Sequence, residues 1–184
     1  MSSKITVFII VFFVTLIGNS VYQQMQKDPT PGKAKRLQCQ REATTFEKGY
    51  ALKEIQEFQQ ILKSEHVPFT SSIEKSSYAK SHLFEYVQLS QVDEMFKKEL
   101  NSYIKDNKDL PNHFKLSYYV YENDVKDPGK KTKKSKLYAG YIVTKLTNEK
   151  NRVIYQSQID FMDKKGADIA KTVKCSVKSL ATFK

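Results

Sequence analysis

The chain has 184 residues, with 31 Lys and Arg against 20 Asp and Glu, a formal net charge of +11, and a composition that is 40% hydrophobic and 28% charged. With 11 Tyr and 11 Phe it is too rich in aromatic residues for a disordered chain, and its length suits one domain rather than several. Two cysteines, Cys39 and Cys175, exclude a cysteine-rich scaffold and a four-cysteine zinc site.

The amino terminus carries the plainest signal. Residues 5–17, ITVFIIVFFVTLI, form an apolar run behind Lys4, and Gly18 and Ser20 supply small side chains ahead of a cut before Val21. That is the layout of a secretory signal peptide. Extended through Tyr22, the run nearly reaches the roughly 20 residues that cross a bilayer, so residues 1–22 read either as a signal peptide or as a single-pass membrane anchor. On both readings the rest of the chain is exported, secreted or periplasmic. In an oxidising compartment Cys39 and Cys175 become a candidate disulfide that closes nearly the whole domain.

Residues 23–41 hold Pro29, Pro31, Gly32 and five basic residues without an apolar stripe, which reads as a linker. Residues 42–184 then form a single domain. Ala43, Phe46, Tyr50, Ile55, Phe58 and Leu62 recur at three- and four-residue steps and predict an amphipathic helix ending before Pro68, with Gly49 as its weak point. Residues 78–89 are rich in aromatic and β-branched types and read as a strand. A second helix follows, with Ser90 as cap, Asp93 in a capping-box position, and Val92, Phe96 and Leu100 on one face. Strands are predicted over 115–122, 136–147 and 152–162, the last two joined by a short loop at 148–151, so the three should form an antiparallel meander. The tail, 166–183, fits a helix or an edge strand; a clean stripe of Lys171, Lys174 and Lys178 opposite Ile169, Val173 and Val177 favours the helix. The fold class is α+β: one or two helices on an antiparallel sheet of three to five strands, with a helix at the carboxyl end. The order of elements is similar to cystatin-like and nuclear-transport-factor-like folds, an analogy that carries no residues across.

The basic excess is unevenly placed. Segment 126–136, KDPGKKTKKSK, holds six lysines (Lys126, Lys130, Lys131, Lys133, Lys134 and Lys136) and one acid, and segment 164–184 repeats that balance. The linker is also basic, and the remaining segments, 42–125 and 137–163, sum to −4. Pro128 and Gly129 put the lysine cluster in a hairpin loop, where it is a candidate for binding an anionic surface such as a membrane. Lysine without arginine lacks the fork for bidentate phosphate recognition, and aromatics do not interleave in the loop, which disfavours nucleic acid.

No GxSxG elbow, P-loop, GxGxxG, HExxH or CxxC motif occurs. His66, His82 and His113 lie apart, and Asp160, Asp163 and Asp168 do not follow the spacing of a calcium loop, so no metal or cofactor is expected. Tyrosines instead crowd the meander, and alternation sends some of them to each face; Tyr119, Tyr121 and Tyr141 are candidates for a partner interface. These features predict a non-enzymatic interaction module, a subunit, assembly factor or adaptor, that binds a protein through the sheet and an anionic surface through the lysine hairpin. The alternatives are a secreted ligand-binding or hydrolytic domain with a pocket between helices and sheet, and a protease-inhibitor-like secreted protein.

Overall fold

A computed structural model describes residues 36–106, 108 and 110–184, so the apolar segment 5–22 and most of the linker lie outside the described residues. The architecture is α+β, four helices packed on a five-stranded mixed sheet. In chain order the elements are α1 (Gln38–Glu42), β1 (Thr45–Gly49), α2 (Leu52–Ser64), β2 (Phe69–Glu74), α3 (Leu89–Asn101), β3 (Lys115–Glu122), β4 (Gly140–Thr147), β5 (Val153–Phe161) and α4 (Ile169–Thr182). Strand order across the sheet is β1-β5-β4-β3-β2. The meander β3-β4-β5 is antiparallel as its short connections require, and β2 joins β3 in parallel. That parallel pair is reached by a crossover through α3, because a parallel neighbour cannot be made by a tight turn.

Alternation along β3 sets the two faces. Leu116, Tyr118 and Val120 are buried beneath the helices, while Ser117, Tyr119 and Tyr121 point to the other side. Strand β2, at the far edge from β1, is reached through α2, whose Ile55, Phe58, Ile61 and Leu62 are buried on the core side. From α3 come Val92, Phe96 and Leu100; Phe96 stacks on Tyr118 at 4.2 Å between ring centroids. Each such fully buried side chain contributes about 1.5–3 kcal/mol relative to exposure. The tail is a helix: Ile169, Val173, Val177 and Leu180 are buried and the lysine stripe is exposed. Cys175, Ser176 and Ser179 are buried too, so α4 is enclosed over more of its surface than a single stripe.

Three expectations fail for definite reasons. The helix expected from Ala43 begins only at Leu52, and Phe46 and Tyr50, whose spacing mimicked a helical stripe, are exposed residues on and just after β1. Gly49 is required because a Cβ there would stand 2.3 Å from Cε1 of the Phe183 ring, which packs on the strand. The stretch expected as a strand over 78–89 is instead a loop with one 3-10 turn, Leu83–Glu85, and Leu89 already opens α3. Its backbone is satisfied by two buried carboxylates instead of a ladder. The amides of His82 and Leu83 donate to Glu122 Oε1 at 2.7 and 2.9 Å, and those of Ser77 and Ala79 donate to Asp124 at 2.6 and 3.1 Å. Finally, Ser90 does not cap α3. Asp93, its expected capping-box partner, accepts a hydrogen bond from the Tyr118 hydroxyl at 2.5 Å.

The folded unit begins before residue 42. Cys39 of α1 is bonded to Cys175 of α4, a bridge spanning 136 residues, and the neighbouring Gln40 is buried, donating to Glu47 Oε2 at 2.8 Å and Ser179 Oγ at 2.9 Å. The Tyr155 hydroxyl donates to the other Glu47 oxygen at 2.7 Å, completing a polar tie between α1, β1, β5 and α4. The bridge accords with an oxidising, extracytoplasmic environment. Among the described residues no helix is long and apolar enough to cross a membrane.

Two outcomes follow for stability. Replacing Cys39 and Cys175 together by Ser is expected to lower the unfolding free energy by about 2–5 kcal/mol, read as a lower urea midpoint than that of the oxidised protein. For Glu122, burial opposes ionisation, but the amides of Leu83, His82 and Ser76 and the Ser81 hydroxyl outweigh it and hold its pKa below the usual value; Asp124 is lowered in the same way by loop amides. A lowered folded pKa gives stability that is complete above the ordinary carboxylate value, about 4, and is lost as pH falls through the lowered one. Acid titration of the Glu122→Gln variant should therefore show a shallower loss of stability below pH 4 than wild type, from a starting point about 1–3 kcal/mol less stable at pH 7.

Candidate interaction surface

The helices close one face of the sheet. Among the described residues nothing comparable covers the other, and that outer face gathers the tyrosines. In the β3–β4 register Tyr119 lies opposite Val143 and Tyr121 opposite Tyr141, all with side chains on the outer side. Tyr121 and Tyr141 stack at 4.4 Å between centroids with planes 19° apart; Tyr119 meets Tyr141 edge-on at 6.4 Å, and Tyr138 lies 6.1 Å from Tyr141. At their centre Val143 is only 1% exposed, flanked across the strands by Tyr119 and Gln158. The three tyrosines singled out from the sequence thus come together as one cluster, with Tyr138 as a fourth member.

Two lysines lie on it. Lys130 places its ammonium 5.2 Å from the Tyr121 ring centroid and 5.3 Å from that of Tyr138, and Lys145 sits 5.4 Å over Tyr119. Lys130 also donates to Asn123 Oδ1 and, at 3.3 Å, to the Tyr121 hydroxyl. This lysine belongs to the β3–β4 connection, residues 123–139, and turns inward. Lys126, Lys131, Lys133 and Lys136 of the same loop are exposed, and the backbone of Lys134 enters a short 3-10 turn, Lys134–Lys136. The loop is held at its root by Asn123, whose side-chain amide donates to the carbonyls of Ser135 and Tyr138.

At the borders of the face stand Phe46, 64% exposed on β1, and Met162, 57% exposed just past β5. Asp160, on β5 opposite Tyr141, is only 5% exposed; burial raises its pKa, against the opposing pull of Gln158, Thr44 and the Lys130 charge. Burial likewise raises the Tyr119 hydroxyl, reinforced by Glu74 and Tyr121, and raises Tyr141 strongly, reinforced by the neighbouring tyrosines. Lys145, Gln158, Val143 and Phe46 were not singled out from the sequence. Their membership depends on which strand neighbours which, and β1 beside β5 is a long-range pairing that no local pattern announces.

The remaining candidates are dispersed. His66 bonds Asn101, His82 lies 3.6 Å from Glu85, and His113 lies 3.7 Å from Glu57, none of them at the tyrosine cluster. Asp163 and Asp168 accept backbone amides of the turn that leads into α4, which separates them from Asp160, and among the described residues no acid, His or Cys group is arranged for a metal. Between α4 and β5, beside the disulfide, a hollow of 110 Å³ is well under the roughly 300 Å³ at which small-molecule sites begin, and two larger hollows of 380 and 540 Å³, beside β1 and on the outer side of α3, are wide open to solvent.

No protein-family model and no curated protein matches this sequence. Among solved structures, the PelC dodecamer from Paraburkholderia phytofirmans and a point variant of it overlay with TM-scores of 0.40 and 0.41 at 8% identity, covering 77% of this chain and 99% of theirs. At that overlap nothing of PelC transfers to this chain.

The raised hydroxyls give a measurable signature. A group whose folded pKa is raised holds its neutral form, so its contribution to stability is complete below the unfolded value, about 10, and is lost as pH climbs through the folded one. Phenolate absorbance should show Tyr119 and Tyr141 resisting ionisation beyond pH 10.5 in the native protein. The paired Tyr119→Phe, Tyr141→Phe variant should shrink the late fraction by these two hydroxyls, leaving the buried Tyr118 and Tyr155 and the half-buried Tyr103 to ionise late.

Proposed function

We propose that this chain is a non-enzymatic interaction module, exported or held at a membrane by its amino terminus, which binds a protein partner through the outer face of the sheet and sets the 123–139 loop against an anionic surface. The observation that carries this reading is the asymmetry of the sheet. One face is sealed by α2, α3 and α4, and the other bears four clustered tyrosines around a buried valine, with exposed Phe46 and Met162 at its margins. An antiparallel sheet that meets only water on its outer side normally carries polar residues there. Tyrosine offers a large, stiff, amphipathic contact area and is enriched where proteins meet. The exposed loop lysines suit an anionic surface because each basic residue near anionic lipid is worth about 1 kcal/mol.

Two variants of the full chain separate the two arms of this reading. Tyr121→Asp with Tyr141→Asp is expected to abolish cross-linking to the partner captured by wild type from the native source, with the fold intact by circular dichroism. Lys131→Glu with Lys133→Glu is expected to reduce flotation with vesicles containing phosphatidylglycerol, which the tyrosine variant should leave unchanged. Unchanged cross-linking by the tyrosine variant would overturn the partner-binding role of the sheet.

A further inference from the structure

We propose that the partner engages the tyrosine face and the lysine loop as one continuous site and that its contact segment is an acidic polypeptide; this rests on the reading of the outer face as the partner surface. The first argument is the inventory of what the face presents. Tyr121 and Tyr141 spend ring faces on each other, Lys130 occupies Tyr121 and Tyr138, and Lys145 occupies Tyr119. An incoming chain therefore meets hydroxyl edges and ammonium groups, and ammonium groups donate without accepting. Asp160, the acid within the cluster, is buried against Gln158 and is not presented. Glu74, on β2 beside Tyr121, is an exposed acid on this face, set against three lysines, Lys48, Lys130 and Lys145, so the face is net positive and its complement is a set of carboxylates.

The second argument is area. Five strands at about 4.8 Å and eight residues at about 3.4 Å give a face of at most about 650 Å². A standard interface takes about 800 Å² from each partner, so the sheet alone falls short and the adjoining loop makes up the difference. Lys130 joins the two: it starts in the basic loop and ends on the tyrosine rings.

The same geometry argues against the other anionic macromolecules on this face. Nucleic-acid bases stack on free aromatic faces, whereas in the tyrosine cluster Tyr121 and Tyr141 stack on each other and lysines lie on the rings, and the lysine loop lacks the arginine fork for phosphate. Lys130 and Lys145 lie down on the rings, half-buried, and do not project toward a plane of lipid head groups. Carboxylates on a flexible segment need only point-charge contacts, and such a segment can lay its apolar residues along the exposed Phe46 and Met162.

The test titrates the full chain, held in a zwitterionic detergent, with poly-L-glutamate, poly-L-lysine, an oligothymidylate and vesicles containing phosphatidylglycerol, reading backbone amide shifts by NMR and affinity at low and physiological salt. Poly-L-glutamate is expected to shift Tyr119, Tyr121, Tyr141 and Lys145 together with the loop, with an affinity that falls as salt rises, while poly-L-lysine shifts none of them. Lys145→Glu, at the far end of the face from the loop, and Lys131→Glu with Lys133→Glu are each expected to weaken poly-L-glutamate about tenfold. Lys145→Gln, which keeps the stem, should give an intermediate loss and guards against misfolding as the cause. Shifts confined to the loop with Lys145→Glu neutral would overturn the continuous site. Tighter perturbation of the face by the oligonucleotide or the vesicles would overturn a polypeptide occupant. If poly-L-glutamate leaves the face untouched while the Tyr121→Asp, Tyr141→Asp variant still loses its native partner, the acidic occupant is wrong and the partner face stands; if that variant also keeps its partner, both fall.

Discussion

The register of β3 against β4 is the constraint on which the rest of the molecule depends. A slip of one residue would exchange the faces, sending Leu116, Tyr118 and Val120 to solvent and the outer tyrosines beneath the helices. Interactions at both ends of β3 and on its inner side hold it in place. Tyr118 is locked by the stacked Phe96 and by Asp93 of α3, and Glu122, the last inward residue, accepts the amides of the 75–83 loop. Asp124 continues the same device one step beyond the strand. A conventional edge would leave that loop to find its own hydrogen bonds; here two carboxylates gather six of its amides, and the loop in turn fixes the carboxylates.

The opposite margin of the sheet is secured by different chemistry. Strand β1 has only five residues and one neighbour, too little pairing to hold by itself. It is tied down by Phe183 over Gly49, by Glu47 shared between Tyr155 and Gln40, and by the disulfide that anchors the adjacent α1 to α4. The covalent bond and the buried Gln40 act on the same few residues, so the point at which the amino-terminal segment enters the domain is a defined position on the folded unit.

Much of this was legible in the sequence where a single periodicity ruled. Strand β3 alternates so strictly that its limits are read correctly, and the tail's lysine stripe identifies α4. Legibility failed where residues answer to distant partners. Phe46 and Tyr50, four apart, look like a helical stripe, and only the pairing of β1 with β5 explains their exposure. The aromatic run at 78–89 has strand composition, but its amides are taken by the carboxylates of Glu122 and Asp124 and not by a neighbouring strand. Strand β2 itself, FTSSIE, carries too few apolar residues to announce a strand. Of the outer face, the tyrosines stood out by type and parity, whereas Lys145 and Val143 entered only through cross-strand register.

The distribution of charge gains meaning from where the acids point. By sequence the folded middle is mildly acidic, which on its own would argue against an anion-seeking surface. In the structure many of those acids are turned toward the protein's own donors: Glu122 and Asp124 toward loop amides, Asp163 toward the turn before α4, Glu47 toward Gln40 and Tyr155, and Asp93 toward Tyr118. Their charge is spent internally. Lys126, Lys131, Lys133 and Lys136 of the loop stay exposed, and Lys130 and Lys145 lie across the outer tyrosines. The potential that a partner meets on this side of the molecule is therefore more positive than the count of charges around it implies, and it is concentrated where the aromatic surface is.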